Sequence, residues 1–281
     1  MKTIEYSTIV DTVKKMCVDA ACVLPDDVLA HIKQARENEP FPRAQAILDQ
    51  IIENTQIAAG KSIPICQDTG VALFFVKIGN DVRIEGGSLG DAINEGTRRG
   101  YVDGYLRGSI VDDPVFDRKN TSDNTPALIH VDLVNGSNLE ITLLPKGGGC
   151  ENMSALAMLK PSEGISGIIR FVRDSVVNSG GNPCPPTVVG VGIGGTADAA
   201  CLLAKKALLR PVGSHHPDKR YAQLERNLLD EINASGVGPM GLGGKHTALW
   251  VSAEYLPCHI ASMPVAVNMN CHAARRLTAV L

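Results

Sequence analysis

The chain has 281 residues, of which 44% are hydrophobic and 20% are charged. This balance is typical of a soluble globular protein and excludes intrinsic disorder. Lys and Arg number 27 against 30 Asp and Glu, so the formal net charge is -3. The chain therefore lacks the positive excess that binds a nucleic-acid backbone or an anionic membrane, and we expect neither as a partner.

The N-terminal residues carry no sign of a targeting segment. Glu5 stands where a signal peptide has a basic stretch followed by an apolar one, and the apolar run from Val71 ends at Lys77. We therefore expect a cytoplasmic protein. Eight cysteines are many for such a chain. Because the cytoplasm is reducing, metal or redox roles are expected for some of them rather than disulfides.

The first part of the chain has the pattern of helices. Apolar residues recur at helical spacing over residues 9–20, and further helices are predicted for 25–36 and 42–56. From Ile63 on, short apolar segments bounded by Gly, Asp, Asn and Pro indicate strands. These strands are predicted for 71–76, 82–84, 127–133 and 139–144, with a helix over 90–107.

In the second part, the glycines at 147–149 are predicted to lead into a helix that reaches residue 160. Further helices are predicted for 162–178, 197–209 and 220–234, and strands for 187–192 and 247–251. The alternation predicts an α/β fold with a mixed sheet flanked by helices and an N-terminal helical segment. Since no repeat and no linker divides the sequence, we expect one domain over residues 1–281.

Three cysteines lie on polar or proline-rich loops. Cys66 is followed by Gln-Asp-Thr-Gly, Cys184 is flanked by prolines, and Cys271 lies on a polar turn. They are too far apart for C-x-x-C knuckles, which excludes a small zinc ribbon. Three separated loop thiolates with no obvious fourth partner suit a [4Fe–4S] cluster in which one iron lacks a protein ligand and is a Lewis acid.

The other cysteines have less distinctive surroundings. Cys17, Cys22 and Cys201 lie in apolar helical segments and are expected in the core. Cys150 follows three glycines and Cys258 precedes a histidine, so either could lie near a site without being a ligand.

The segment 190–195 matches G-x-G-x-x-G between a predicted strand and a predicted helix. A dinucleotide site would also need an acidic residue at the end of a second strand about 20 residues on, and here that distance falls inside a helix. Close packing of the helix on the sheet, or N–H groups offered to a sulfide or carboxylate, is the better interpretation. The basic residues near these loops, which could grip a carboxylate, are Arg107, Lys146, Arg210, Lys245 and Arg275.

Several long motifs are unusual enough to identify relatives: Ile65-Cys-Gln-Asp-Thr-Gly70, Gly147-Gly-Gly-Cys-Glu-Asn-Met-Ser154, Pro161-Ser-Glu-Gly164, Cys184-Pro-Pro186 with 190–196, Leu209-Arg-Pro-Val-Gly213 and Asn270-Cys-His-Ala-Ala-Arg275. Over nearly its whole length the chain resembles the alpha subunit, or N-terminal region, of the iron–sulfur class I fumarate hydratase and L(+)-tartrate dehydratase family.

The resemblance implies a role for particular residues. Cys66, Cys184 and Cys271 would hold a [4Fe–4S] cluster, and Asp68 would be catalytic, as part of a proton relay. Binding of a small dicarboxylate substrate is implied for Gln67, Arg107, Gly147, Gly148, Gly149 and His259.

The resemblance also implies the reaction, reversible hydration of fumarate to (S)-malate. Alternatives are L(+)-tartrate dehydration to oxaloacetate and mesaconate hydration; the continuation Glu151-Asn-Met-Ser154 favours fumarate. In that family further residues, including the base, come from a complementary domain. With the chain ending at Leu281, we expect that domain on a beta subunit in an α₂β₂ complex. Alternatives from other classes are a non-catalytic iron–sulfur or zinc protein and a dinucleotide-binding protein.

Overall fold

A computed structural model describes residues 1–281, and the chain forms two units. Unit 1 comprises Met1–Pro25, Thr55–Gly148 and Arg275–Leu281, and unit 2 comprises Asp26–Asn54 and Gly149–Ala274. Each unit has a four-stranded sheet, which confirms the predicted α/β class. A single domain over residues 1–281 stays a prediction.

The helices follow the predicted order closely. They are α1 Tyr6–Cys22, α2 Asp26–Asn38, α3 Pro42–Lys61, α4 Leu89–Asp103, α5 Gly148–Glu151, α6 Gly164–Ser179, α7 Ala197–Ala207 and α8 Lys219–Asn233. The strands are β1 Lys2–Glu5, β2 Val71–Gly79, β3 Val82–Glu85, β4 Leu128–Val134, β5 Leu139–Lys146, β6 Ala155–Leu159, β7 Thr187–Gly194, β8 Ala248–Leu256, β9 Met263–Asn270 and β10 Leu277–Val280. None of the helices is both long enough and apolar enough to cross a bilayer.

The sheet of unit 1 has the strand order β10-β5-β2-β4. The central strand β2 pairs parallel with β4 and antiparallel with β5, so the sheet is mixed. Helices α1 and α4 pack closely at two glycines, since a Cβ at Gly96 would lie 2.6 Å from the Cβ of Val13 and one at Gly100 would lie 2.7 Å from that of Cys17. The loops at the start of β2 and the end of β5 carry the predicted site residues of this unit except Arg107, which lies between α4 and β4.

The sheet of unit 2 has the order β6-β9-β7-β8, with β7 antiparallel to β9 and parallel to β8. Every residue of β7 is buried. A Cβ at Gly190 would lie 2.1 Å from the carbonyl oxygen of Ala204, and one at Gly192 would lie 2.1 Å from that of Ala200. The glycines thus let α7 pack against β7, which confirms the close-packing interpretation of this glycine segment.

Three parts of the chain differ from the sequence prediction. Residues 152–160 are not helical, because α5 ends at Glu151 and Ala155–Leu159 pairs with β9 instead. The N-terminal strand β1, which pairs with β3, was not predicted. Strands β9 and β10 lie after residue 251, where no further element was predicted.

Candidate active site

The predicted residues of unit 1 gather at the loop from Cys66 to Gly70, between α3 and β2. The loop is anchored before its start, where the N–H of Ile65 donates to the carbonyl of Ala21 at 2.9 Å. At its end the hydroxyl of Tyr101 donates to the carbonyl of Gly70 at 2.8 Å. Burial raises the pKa of Tyr101, so the hydroxyl stays protonated and remains a donor.

Asp68 is the centre of this loop. Its Oδ1 accepts from the N–H of Gly70 at 3.0 Å, and its Oδ2 accepts from the N–H of Gly148 at 2.8 Å. The N–H of Asp68 lies 3.4 Å from the sulfur of Cys66. A Cβ at Gly147 would lie 3.3 Å from the Asp68 Oδ2. The structure therefore brings together the predicted Cys66, Asp68, Gly147 and Gly148, with a fixed orientation of the Asp68 carboxylate.

Gln67 belongs to this loop, and Arg107 lies beside it. Both side chains are exposed. The Oε1 of Gln67 is 3.6 Å from the sulfur of Cys66. The carbonyl of Arg107 accepts from the hydroxyl of Thr69 at 3.0 Å, which fixes the backbone of Arg107 near the loop. Both residues thus lie at this loop with exposed side chains.

Two buried side chains support the loop by donating to its backbone carbonyls: Arg275, one of the basic residues that the sequence indicated could grip a carboxylate, and Asn124, which the sequence analysis did not single out. The Nη2 of Arg275 donates to the carbonyl of Asp68 at 3.0 Å, and the Nδ2 of Asn124 donates to the carbonyl of Gly70 at 3.1 Å. Arg275 ends a motif that carries the resemblance, so the sequence already pointed to this position. Asn124 lies in an irregular polar segment, and no sequence pattern indicated its role.

The predicted cysteines of unit 2 lie on neighbouring loops. Cys184 has a φ of +52°, a conformation that costs free energy for a residue with a Cβ and persists where its surroundings enforce it. Its carbonyl accepts from the N–H of His272 at 3.3 Å and from the Nδ1 of the same residue at 3.0 Å. Since His272 follows Cys271 directly, these bonds hold the two cysteine loops together.

Gly149 and Cys150 lie against the loop that carries Cys184. A Cβ at Gly149 would lie 3.0 Å from the carbonyl oxygen of Asn182. The buried thiol of Cys150 donates to the carbonyl of Pro183 at 3.3 Å. This contact fits the expectation that Cys150 lies near a site without being a ligand, because it helps to position the Cys184 loop.

Glu151 connects the same turn to α7 and β9. Its carboxylate pairs with the ammonium of Lys205 and accepts from the Nδ2 of Asn268 at 3.0 Å. Asn268 also donates to the hydroxyl of Ser154 at 2.7 Å. Because β9 ends at Asn270, this network links the Gly149–Ser154 turn to the strand that precedes Cys271.

His259 makes its hydrogen bonds within its own loop. It lies exposed on the loop between β8 and β9. Its Nδ1 accepts from the N–H of Ala261 at 3.1 Å, and its carbonyl accepts from Ser262. The neighbouring Cys258 is also exposed and donates to the carbonyl of Ser262 at 3.2 Å.

The remaining cysteines are not predicted ligands, and their surroundings differ from those of Cys66, Cys184 and Cys271. Burial raises the pKa of Cys17 to about 12, and burial also raises the pKa of Cys22. Both therefore stay protonated thiols in the core, as expected. Cys201 is partly buried against Ala200, Ala204 and Ala266. No group of three or more His, Cys, Asp or Glu side chains is arranged to hold a single metal ion.

Comparison with known proteins identifies the class to which this fold and these loops belong. Residues 10–280 match the family described as fumarate hydratase (Fumerase). The chain belongs to this family of hydro-lyases, which confirms the resemblance read from the motifs.

Individual relatives carry more particular names. The chain is 45% identical over 270 residues, or 95% of both chains, to a Methanocaldococcus jannaschii protein provisionally named L(+)-tartrate dehydratase subunit alpha. It is 36% identical over 259 residues to the L(+)-tartrate dehydratase subunit alpha of Escherichia coli UTI89, covering 91% of this chain and 84% of the relative. The protein of the same name from strain K12 is 35% identical over the same length.

Proposed function

We propose that this chain is the alpha subunit of an iron–sulfur hydro-lyase that adds or removes water at a small dicarboxylate, with L(+)-tartrate as the first candidate substrate. The observation that carries the proposal is the Cys66–Gly70 loop, where a thiol, an oriented carboxylate and a glycine turn meet. The names of the relatives support L(+)-tartrate over fumarate. This reverses the order expected from the Glu151–Ser154 segment.

The donor set fits a [4Fe–4S] cluster held by Cys66, Cys184 and Cys271. All three lie on loops with intermediate exposure and outside any disulfide, unlike the core thiols Cys17 and Cys22. Thiolates are the usual ligands of such clusters. The bonds between Cys184 and His272 support the assignment in unit 2, because they hold two of the three proposed ligands on adjoining loops.

When bound, the cluster supplies Lewis-acid assistance to the departure of hydroxide from the 2-hydroxy acid. The chain's own residues bind the substrate and move protons. We assign one substrate carboxylate to the guanidinium of Arg107, which can grip it in a bidentate fork. Gln67 and the amides of Gly147–Gly149 contribute further hydrogen bonds. His259 is kept as a substrate contact on the resemblance alone.

Asp68 is the proposed proton-transfer residue. One N–H donates to each of its carboxylate oxygens, and a carboxylate oxygen has a second lone pair available. The carboxylate is thus held in one orientation while it can still accept a proton. Asp68 would act in a relay with the base on the partner subunit.

We further propose that the active form is an α₂β₂ complex in the cytoplasm. The relatives are named as alpha subunits, which supports a beta subunit as partner. A reducing compartment keeps the proposed ligand thiols free of disulfides.

Fumarate hydration is the second candidate reaction. The description of the matching family as fumarate hydratase favours it. Mesaconate remains a third substrate to test, on the resemblance alone. One extra hydroxyl or methyl group is discriminated by pocket shape and by polar groups facing it, so the choice needs a direct assay.

The test is anaerobic co-expression with the partner subunit and assay of L(+)-tartrate, malate, fumarate and mesaconate. We expect oxaloacetate from L(+)-tartrate as the fastest reaction. Faster malate or fumarate turnover would select the second candidate. Absence of water addition or elimination with all four, in a complex that contains iron, would contradict the proposed activity.

A further inference from the structure

Arg275 is a buried cation with unused hydrogen-bonding capacity. The residue is 3% exposed. Its Nη2 donates to the carbonyl of Asp68, whereas its Nε and Nη1 are buried without a hydrogen-bond partner. A guanidinium remains charged in proteins. An unpaired charge and unsatisfied N–H groups in a protein interior cost free energy, so this arrangement needs an explanation.

Arg210 is partly buried and likewise leaves its Nε and Nη1 without a hydrogen-bond partner, but carboxylates compensate its charge. The Nη2 of Arg210 lies 2.5 Å from an oxygen of Glu225 and 3.6 Å from one of Glu254. Arg275 has no such carboxylate. Asp68 is its neighbour, but the Asp68 carboxylate is turned to the amides of Gly70 and Gly148 and offers Arg275 its backbone oxygen alone.

We propose that Arg275 provides the positive charge for an anion bound at the Cys66–Asp68 loop, and that it positions this loop for the anion. The inference rests on the proposed function. Two sources share this chemistry: a carboxylate of the substrate, and an iron–sulfur cluster with its thiolates, which carries net negative charge. Asp68 connects Arg275 to Cys66. The carbonyl of Asp68 accepts from Arg275, and the N–H of Asp68 faces the sulfur of Cys66.

Because Arg275 is buried, its charge acts in a region of low polarity. Where water is excluded, Coulomb attraction between opposite charges is much stronger than in bulk solvent. A guanidinium held at the backbone of Asp68 would stabilise an anion bound at this loop. The same guanidinium would destabilise the chain when the anion is absent.

The test compares thermal unfolding of the complex without and with reconstituted cluster, for the wild type and Arg275→Met. Without the cluster, we expect Arg275→Met to unfold at the same temperature as the wild type or higher, because it removes an uncompensated charge. With the anion bound, it should unfold at a lower temperature. A purely structural role for the bond to Asp68 would lower the unfolding temperature equally in both states, and this result would overturn the proposal.

Two further variants distinguish loss of the charge from simple misfolding of Arg275→Met. Arg275→Lys keeps the charge and should keep most of the rise in unfolding temperature on loading, whereas the neutral Arg275→Gln should reduce that rise by about twofold or more. Equal rises in both variants would overturn the proposal. Arg99→Met is the matched control, since Arg99 is an exposed arginine of the same unit that pairs with Glu95. It should leave the rise on loading unchanged.

Adding the substrate and the cluster one at a time identifies the anion. It also distinguishes failure of this inference from failure of the proposed function. If L(+)-tartrate or fumarate alone raises the unfolding temperature of the wild type but not of Arg275→Met, the anion is the substrate carboxylate. If only the cluster does so, the anion is the cluster with its thiolates. A wild type that binds both, with Arg275→Met responding equally, overturns this inference and leaves the function intact. A wild type that binds neither overturns the function itself.

Discussion

At the residue scale, the environment of Asp68 supports its proposed role in proton transfer. Its two oxygens accept from amides that lie far apart in sequence, at Gly70 and Gly148. Its N–H faces the proposed ligand Cys66. No sequence pattern predicts that Gly148 meets Asp68, since this contact depends on the antiparallel pairing of β2 with β5, which places Val71 opposite Lys146.

Asp68→Asn should lower kcat by about 10²- to 10⁴-fold, the usual contribution of a positioned proton-transfer group. It should leave the iron content of the complex close to that of the wild type, because the carboxylate is not a proposed ligand. The measurement is steady-state kinetics of the anaerobic complex, normalised to iron.

Asp103→Asn is the control for this substitution. Asp103 is an exposed aspartate of the same unit that pairs with Lys14, and its change should leave kcat unaltered. Undiminished kcat in Asp68→Asn at equal iron content would remove Asp68 from the mechanism.

At the scale of elements, the glycines of β7 determine how closely α7 packs. Gly192→Ala would place its Cβ 2.1 Å from the carbonyl oxygen of Ala200. Helix and strand would have to separate, so we expect the free energy of unfolding to fall by about 1–3 kcal/mol. Urea denaturation measures this change.

Gly60→Ala is the contrasting substitution. Gly60 lies in α3 with no atom within 4 Å of an added Cβ. Because alanine favours helix over glycine, the free energy of unfolding should stay constant or rise by up to about 1 kcal/mol. If both variants lost the same stability, close packing would not explain the glycines of β7.

A second element-scale prediction concerns the carboxylate of Glu39, which ties the segment between α2 and α3 to the loop before β8. Burial opposes its ionisation, but hydrogen bonds from Lys245, His246 and Phe41 outweigh burial and hold the pKa of Glu39 below its ordinary 4.5. The ionised form therefore contributes stability above pH 4.5. That stability is lost as the pH falls through the lowered value.

Glu39→Gln should accordingly flatten the fall in unfolding free energy below about pH 4.5. Chemical denaturation at a series of pH values measures it. Glu53→Gln, at an exposed position of α3, should retain the wild-type slope. An unchanged slope in Glu39→Gln would show that other groups cause the acid sensitivity.

At the scale of the whole molecule, the sequence predicted the fold class and most helices because their apolar periodicity is strong. It failed at Ala155–Leu159, where Ala, Leu and Met favour a helix but pairing with β9 makes a strand. The loops of Cys66, Cys184 and Cys271 could be recognised by their motifs. The supporting contacts of Asn124, His272 and Arg275 could not, since they join residues that only the folded chain brings together.

The proposed division of the eight cysteines into ligands and other thiols is the central claim for the whole chain. The most direct test is the iron and acid-labile sulfide content of the anaerobically purified complex, compared between wild type, Cys184→Ser and Cys201→Ser. We predict a cluster in the wild type and in Cys201→Ser, and its loss in Cys184→Ser. Full iron and sulfide in Cys184→Ser, or stoichiometric zinc without iron in the wild type, would contradict the account.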